Sequence, residues 1–222
     1  MAGKVTSLKA QKRNSNRISI YLDGEFAFGL SRIIAAWLQI GQELDDARIA
    51  DLKAQDAAET AYQRALRLLN IRDRSESEIT SRLREKKIPE EIISQVLERL
   101  QRSGLVDDQR FAQTWVENRG EFRPRSRRAL TYELREKGIN PDTIQDVLDS
   151  FQDDQAAYAA AHKYTQKLKQ MEWPEFRQKV CGFLSRRGFT YATSIEATGK
   201  VWAERSGNNS GQDEPLYEEV DL

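Results

Sequence analysis

Apolar positions recur along this chain with a period of about 50 residues. The phrases RLREKKI, ELREKGI and FLSRRGF place their leucines at Leu83, Leu134 and Leu184, which lie 51 and then 50 residues apart. Another apolar residue stands four positions before each leucine, which is the spacing of one α-helical face. These residues are Ile79, Leu130 and Val180. Because the register continues on both sides of the phrase, we interpret it as a repeated supersecondary unit.

Each phrase also contains the pattern of a helix C-terminus. Leu134, Gly138 and Ile139 fit a Schellman cap, in which glycine takes the left-handed position and the isoleucine folds back onto the leucine. The third copy repeats this pattern with Gly188, whereas the first copy has Lys87 in place of glycine. We therefore predict a strained cap at the end of that helix in the first copy.

Helix starts are marked as well. Ser75 with Glu78 predicts a capping box, and Asn140 followed by Pro141 predicts an N-cap and a first helical residue. Pro89 opens the corresponding helix of the first copy. Each unit should then contain a first helix, a basic second helix, a tight turn and a third helix.

A different pattern precedes the repeats. Ile18, Ile20 and Leu22 alternate with polar residues, and the alternation resumes after Asp23-Gly24, which predicts a β-hairpin with a two-residue turn. We expect the hairpin to pack on a short apolar helix, because an isolated hairpin is marginally stable in water.

That short helix is predicted over about 31–39, and helical spacing resumes over 45–71. A linker helix should therefore continue into the first helix of the array. The short helix is expected to bury four residues against the hairpin: Ile33, Ile34, Trp37 and Leu38.

These patterns predict an all-α protein, an elongated array of three tandem three-helix repeats preceded by a short β-hairpin and helix. A charged content of 32% with only 39% hydrophobic residues suits an array better than one globule. The predicted segments are a basic flexible arm (1–17), the β-hairpin and short helix (18–44), the linker helix and first repeat (45–104), the second repeat (105–154), the third repeat (155–205) and a disordered acidic tail (206–222).

Candidate chemistry is sparse. The chain lacks a P-loop, a nucleotide-binding glycine fingerprint and a Ser, His and acid set. Cys181 is the one cysteine and His162 the one histidine, too few for the usual zinc site. We therefore predict a non-enzymatic binding protein without metal or cofactor. No apolar run approaches the roughly 20 residues of a membrane-spanning helix, and no signal core opens the chain, so we expect a cytoplasmic protein.

The net charge is zero, with 35 basic and 35 acidic residues, yet the two signs are segregated. Arg125, Arg128 and Arg135 are spaced so that they could line one helical face. Such a stripe suits phosphates or an acidic protein surface, and charge alone does not choose between them. The candidate binding residues are Arg119, Arg123, Arg125, Arg127, Arg128, Arg135, Lys137, Lys179, Arg186 and Arg187.

A sequence-reading helix-turn-helix is disfavoured. The helix after the tight turn, PDTIQDVLDSF, carries Asp142, Asp146 and Asp149 and no basic residue. Phosphate repulsion would oppose its entry into the major groove.

Three stretches resemble the RecX family, the regulators of the bacterial recombinase RecA. They are SGLVDDQRFAQTWVENR (103–119), RSRRALTYELREKGI (125–139) and FLSRRGF (183–189). The resemblance implies a modular array of three-helix repeats that lies in the groove of the RecA filament on single-stranded DNA. It further implies inhibition of filament extension, ATP hydrolysis and strand exchange, within DNA repair, homologous recombination and the SOS response.

The partners expected from this resemblance are the RecA filament and single-stranded DNA, the latter contacted directly or through the filament. A monomer without membrane contact is expected. The alternative is a helical adaptor or nonspecific DNA-binding protein unrelated to recombination. Within LVDDQRFA we assign Leu105 and Phe111 to the core and Asp107 or Asp108 to capping a helix that begins near Gln109.

Overall fold

The computed structural model describes residues 2–209, which form a small antiparallel sheet followed by a series of helices. The strands are β1 (Gly3–Gln11), β2 (Asn14–Leu22), β3 (Glu25–Ser31) and β4 (Glu43–Leu44), in the order β3-β2-β1-β4. The helices are α1 (Arg32–Ala35), α2 (Asp46–Leu69), α3 (Glu76–Arg84), α4 (Glu90–Arg102), α5 (Asp108–Phe122), α6 (Arg127–Glu136), α7 (Pro141–Leu148), α8 (Asp153–Thr165), α9 (Trp173–Arg186) and α10 (Tyr191–Asn209). The chain divides into two compact units, unit 1 up to Asp107 and unit 2 from Asp108.

The predicted hairpin is confirmed. Leu22 pairs with Glu25 across the turn, so the loop consists of two residues. Asp23 and Gly24 have φ angles of 49° and 93°, as a type I′ turn requires. Ile20 lies opposite Phe28 and both side chains are buried in the core of the sheet.

The prediction of a flexible arm over 1–17 is wrong, because residues 3–11 form β1 and pair with both β2 and β4. Val5 is buried and Leu8 packs against the same core. The register between β1 and β2 shifts between Val5 and Ser7, and this irregularity brings two residues three positions apart toward one core. The all-α description is corrected in the same way, since a four-stranded sheet precedes the helices.

The predicted short helix is reduced to the single turn α1. Ala35 and Leu38 are buried and Ile34 packs against the sheet core, but Ile33 is exposed and Trp37 retains 81% of its accessible surface. The chain has to turn back here, because the N–H of Gly41 donates to the carbonyl of Val5 at 2.7 Å. After this return, the chain forms β4, which pairs with β1.

The predicted continuous helix is confirmed as α2. It starts after Asp45, whose carboxylate accepts the Arg48 N–H at 2.6 Å. The first half of α2 contributes Ile49 and Leu52 to the sheet core, and the second half contributes residues such as Tyr62 to the next core. One helix therefore belongs to both cores of unit 1.

Three-helix repeats follow, formed by the second half of α2 with α3 and α4, by α5 to α7, and by α8 to α10. The predicted caps are confirmed. The Ile139 N–H donates to the Leu134 carbonyl at 3.1 Å, and Gly138 has a φ of 74°. Lys87 takes a left-handed φ of 57° at the equivalent position of the first repeat. The repeated apolar positions are buried at Ile79, Leu83, Leu130, Leu134, Val180 and Leu184.

The predicted helix starts also hold. The Ser75 hydroxyl accepts the Glu78 N–H at 3.2 Å, and the Asn140 side chain accepts the Asp142 N–H at 2.9 Å ahead of the first helical residue, Pro141. Pro89 immediately precedes α4 and serves as its N-cap residue.

The expected burial of Leu105 and the predicted start of the acidic tail both need correction. Leu105 is exposed, because it follows the left-handed Gly104 and Val106 takes the buried position instead, while Phe111 is buried as expected. Residues 206–209, expected in the acidic tail, continue α10, and the remainder of that predicted tail lies outside the described residues.

Within the described part of the chain, the helices are too short or too polar to cross a membrane.

Candidate polyanion-binding surface

The candidate site lies in unit 2, where the segment before α6 meets the end of α9. The Ser126 N–H donates to the Arg187 carbonyl at 3.2 Å. In return, the Arg187 guanidinium donates to the Pro124 carbonyl at 3.2 Å, and Arg125 approaches the Arg186 carbonyl at 3.5 Å. These contacts join the second repeat to the third and place Arg125 beside Arg187.

Glycine makes this approach possible. Gly188 has a φ of 93°, and a Cβ atom there would lie 2.6 Å from the Ser126 hydroxyl and 2.9 Å from the Ala129 Cβ. Both distances are too short for a real side chain. Gly188 is therefore needed for its left-handed backbone and for the contact between the two repeats.

One carboxylate anchors the basic side chains around this junction. Glu133 accepts hydrogen bonds from Arg119 Nε at 2.7 Å and from the indole N–H of Trp115 at 2.9 Å. Its other oxygen lies 3.3 Å from Arg125 Nε. Because Arg125 Nε is buried without a hydrogen-bond partner, we treat this second contact as electrostatic attraction only. A single carboxylate thus faces two guanidinium groups.

Arg187 adds a further charge beside them. Burial of its guanidinium lowers the pKa of Arg187, and the nearby charges of Arg125, Arg123 and Arg119 lower it further. An arginine nevertheless stays protonated at ordinary pH, so the repulsion is not relieved by loss of a proton. The guanidinium is also positioned 4.6 Å from the centre of the Phe183 ring, which favours a cation.

One aromatic ring contacts two cations of this surface, those of Arg119 and Lys137. The Trp115 ring lies 4.6 Å from the guanidinium of Arg119 and 5.2 Å from the ammonium of Lys137. We name Arg119, Arg123, Arg125 and Arg187 the arginine cluster. The four arginines lie near one another, and two of them face the carboxylate of Glu133. This arrangement suits an anionic ligand, because such a ligand would offset the repulsion that remains between the positive charges.

Not every predicted residue joins the arginine cluster. Arg127 donates to the Leu148 carbonyl, and its backbone N–H donates to Asp153 at 2.6 Å. Arg127 and Arg135 line a separate cavity of about 360 Å³ between α6 and α7. The expected single helical face is also wrong, because Arg125 precedes α6 and its side chain is half-buried.

The other predicted residues are exposed. Lys179 forms an ion pair with Glu175 at 2.7 Å on the surface of α9, and Arg186 follows on the same helix. The side chains of Arg123 and Arg128 form no hydrogen bond or ion pair with any residue in the range 2–209. They are therefore the predicted residues whose charge is most available to a partner.

Sequence reasoning listed Arg119 but missed Trp115 and Glu133, which organise the cluster. Trp115 and Arg119 are four residues apart on α5, so their contact was detectable from helical spacing. Glu133 carried no such signal, because it reaches these side chains from another helix.

In the described residues there is no group of three or more His, Cys, Asp or Glu side chains that could hold a metal ion.

Tandem three-helix repeats that follow a small β-sheet along the chain, with basic side chains gathered where two repeats meet, define a modular helical-repeat protein. Comparison with known families agrees in every segment. The matches are the regulatory protein RecX N-terminal domain over 3–45 and the first, second and third RecX three-helix domains over 61–100, 107–148 and 152–197. The chain belongs to the RecX family.

Individual relatives agree with this assignment. Regulatory protein RecX of Bacillus pumilus is 31% identical over 97% of this chain and 81% of its own length. The corresponding protein of Limosilactobacillus reuteri is 34% identical over 84% of this chain and 72% of its own length. A crystal structure of regulatory protein RecX superposes with a TM-score of 0.67 at 30% identity, covering 88% of this chain and 99% of that one.

Proposed function

We propose that this protein binds the RecA recombinase filament on single-stranded DNA, in the groove of the filament. There it inhibits filament extension, ATP hydrolysis and strand exchange, and it does so by binding, without chemistry of its own. The arginine cluster is the observation that carries the proposal, because it presents more positive charge than its one carboxylate can offset. Membership of a family of regulatory proteins supports the same conclusion.

Binding through separate modules suits a filament as partner. A filament repeats the same surface many times, and two or more repeats that each bind weakly gain affinity when they bind together. The candidate residues on the outer surface are then the filament contacts, foremost Arg123 and Arg128. Arg119, Arg125 and Arg187 are tied to Glu133 or to backbone carbonyls and serve to build the basic surface.

The first prediction tests this with two exposed arginines. Arg123→Glu with Arg128→Glu should raise the concentration that half-inhibits RecA ATP hydrolysis on single-stranded DNA by about tenfold or more. The reason is that two charge-assisted contacts of about 1 kcal/mol each are lost. Both side chains are exposed, so the melting temperature of the protein should hardly change.

Lys167→Glu with Lys169→Glu is the matched control, because it reverses two exposed charges of unit 2 outside the candidate residues. Equal inhibition by wild type, test variant and control would show that Arg123 and Arg128 contact solvent and not the filament. The alternative role as a nonspecific DNA-binding protein gives a different result. Under that alternative, binding to DNA does not require the recombinase, so the distinguishing result is that a strand already saturated with recombinase shows no inhibition of ATP hydrolysis.

A further inference from the structure

Unit 1 contains a second basic surface that the proposed function does not use. A groove of about 590 Å³ lies between the end of α2 and the end of α3. Leu68 and Leu83 supply its apolar lining, and Glu85 is the one carboxylate in that lining. We call this groove the α2–α3 basic groove. Its cationic side chains are those of Arg64, Arg67, Arg74, Arg82 and Lys86.

Most of this charge is not offset inside the protein. Glu85 pairs with Arg82 at 3.0 Å. Arg64, Arg67 and Lys86 are exposed, and their side chains form no hydrogen bond or ion pair with other residues that the structure describes. The groove therefore carries several cations for which unit 1 supplies no partner.

Arg74 is held among these charges. Its Nε donates to the Leu68 carbonyl at 3.1 Å, which fixes the half-buried guanidinium at the groove. Burial and the charge of Arg72 lower the pKa of Arg74, the carboxylate of Glu78 partly opposes them, and Arg82 lowers the pKa further. Holding like charges together costs free energy, and an anion in the groove would offset that cost.

A neighbouring cavity extends the groove along unit 1. Its volume is about 600 Å³, and it shares Arg67 with the α2–α3 basic groove. Arg17, which pairs with Asp56 at 2.9 Å, and the exposed Arg32 also line it, together with one carboxylate, Glu59. Ser31 lines it as well, and its hydroxyl is buried without a hydrogen-bond partner. Two adjoining cavities with cations along both suit a chain of anionic groups better than a single small anion.

We propose that the α2–α3 basic groove and this adjoining cavity bind the phosphodiester backbone of nucleic acid directly, without the recombinase. Four of the five groove cations are arginines, whose forked donors match phosphate oxygens in pairs. Neither cavity is lined by an aromatic side chain on which a base can stack, so recognition should not depend on base sequence. This proposal does not rest on the proposed function, since it concerns other residues and needs no filament.

The second prediction tests the groove with a fluorescein-labelled oligothymidine of about 20 nucleotides, longer than a typical single-strand site. The full-length protein should bind it at low salt, measured by fluorescence anisotropy. Arg67→Glu with Lys86→Glu should weaken binding about tenfold or more. It should also reduce the slope of affinity against salt by about 1.4, because each phosphate contact on a single strand contributes about 0.7.

Lys9→Glu with Lys53→Glu is the control of equal charge change in unit 1. Both lysines are exposed and lie over aromatic rings outside the two cavities, so binding should change far less. Thermal unfolding checks the fold of each variant. If the Glu variant unfolds, Arg67→Ala with Lys86→Ala takes its place. The Ala variant removes the two positive charges without adding negative ones, so it should weaken binding to a smaller extent.

Three outcomes would overturn the proposal. In the first, the wild type does not bind the oligonucleotide. In the second, the groove variant binds the oligonucleotide with the affinity and salt slope of the wild type. In the third, the groove variant no longer binds a polyglutamate peptide that the wild type binds, but still binds the oligonucleotide. The last result would assign the groove to an acidic protein segment. None of them affects inhibition of the recombinase through Arg123 and Arg128, so the two proposals fail separately.

Discussion

Lys87 occupies the left-handed position that glycine fills at the same point of the other two repeats. A Cβ atom disfavours this conformation, so the first repeat retains strain that Gly138 and Gly188 avoid. The cap still forms, since the Ile88 N–H donates to the Leu83 carbonyl at 3.4 Å. Such a cap was predictable from sequence, because it depends only on residues that are neighbours along the chain.

The third prediction follows from this strain. Lys87→Gly should stabilise the protein by roughly 1 kcal/mol, the cost of a left-handed non-glycine residue, measured by urea unfolding. Lys86→Gly is the matched control and should destabilise the protein. Lys86 does not have a positive φ, so glycine relieves no strain there and only increases the conformational entropy of the unfolded chain. Equal effects of the two substitutions would contradict the strain.

At the scale of the element, prediction succeeded where the pattern was regular. In β2, Ile18, Ile20 and Leu22 alternate with polar residues up to the Asp23-Gly24 turn, and the repeats keep helical spacing for many turns. β1 was missed because Val5 and Leu8 are three positions apart, which matches neither a regular strand nor an evident helix. Only the shifted pairing with β2 shows that both contact one core.

The third repeat differs from the others in how its core is filled. α8 contributes small buried residues such as Ala157 and Ala160, and large rings compensate for their volume. Phe176 is fully buried between Trp173 and Trp202, with ring centres 6.3 Å and 4.8 Å away.

The fourth prediction concerns the junction between α6 and α9. Gly188→Ala should destabilise the protein by about 1–3 kcal/mol, because the new methyl meets Ser126 and Ala129 and the backbone is left-handed. Gly104→Ala is the control, since Gly104 is also left-handed but faces open space. If both variants lose the same stability in urea unfolding, the close contact contributes nothing.

At the scale of the whole molecule, the buried residues within the described range 2–209 form four clusters, and each cluster lies within one unit. The two clusters of unit 1 end at Val106, immediately before the boundary at Asp107. Because α2 belongs to both, the sheet and the first repeat should unfold together.

The fifth prediction tests that statement. A fragment of residues 1–107 should fold alone and show one cooperative thermal transition by circular dichroism, because its two apolar cores are complete and share α2. Two separate transitions, or none, would contradict it. A fragment of residues 1–57 is the control, because it cuts α2 before Tyr62 and should lose cooperativity.

The candidate site was predictable in composition but not in arrangement. Ten basic residues of the second and third repeats were predicted as binding residues. The structure brings Arg119 and Arg125 to Glu133 with Arg187 and Arg123 beside them, and it turns Arg127 and Arg135 toward another cavity. Helical spacing cannot show this, because Arg125 lies before its helix and Arg187 comes from a different repeat. Contacts between segments that are distant along the chain therefore determine which basic residues lie together.

The bond from the Ser126 N–H to the Arg187 carbonyl has a thermodynamic consequence for such a cluster. Its charges come together only while the second and third repeats are docked, so any polyanion that needs all of them binds the docked state alone. Ligand binding and docking are then linked equilibria, and an anion at 100 times its Kd would add about 2.7 kcal/mol to the stability of the junction. By the same reciprocity, a substitution that loosens the junction weakens the ligand without touching it.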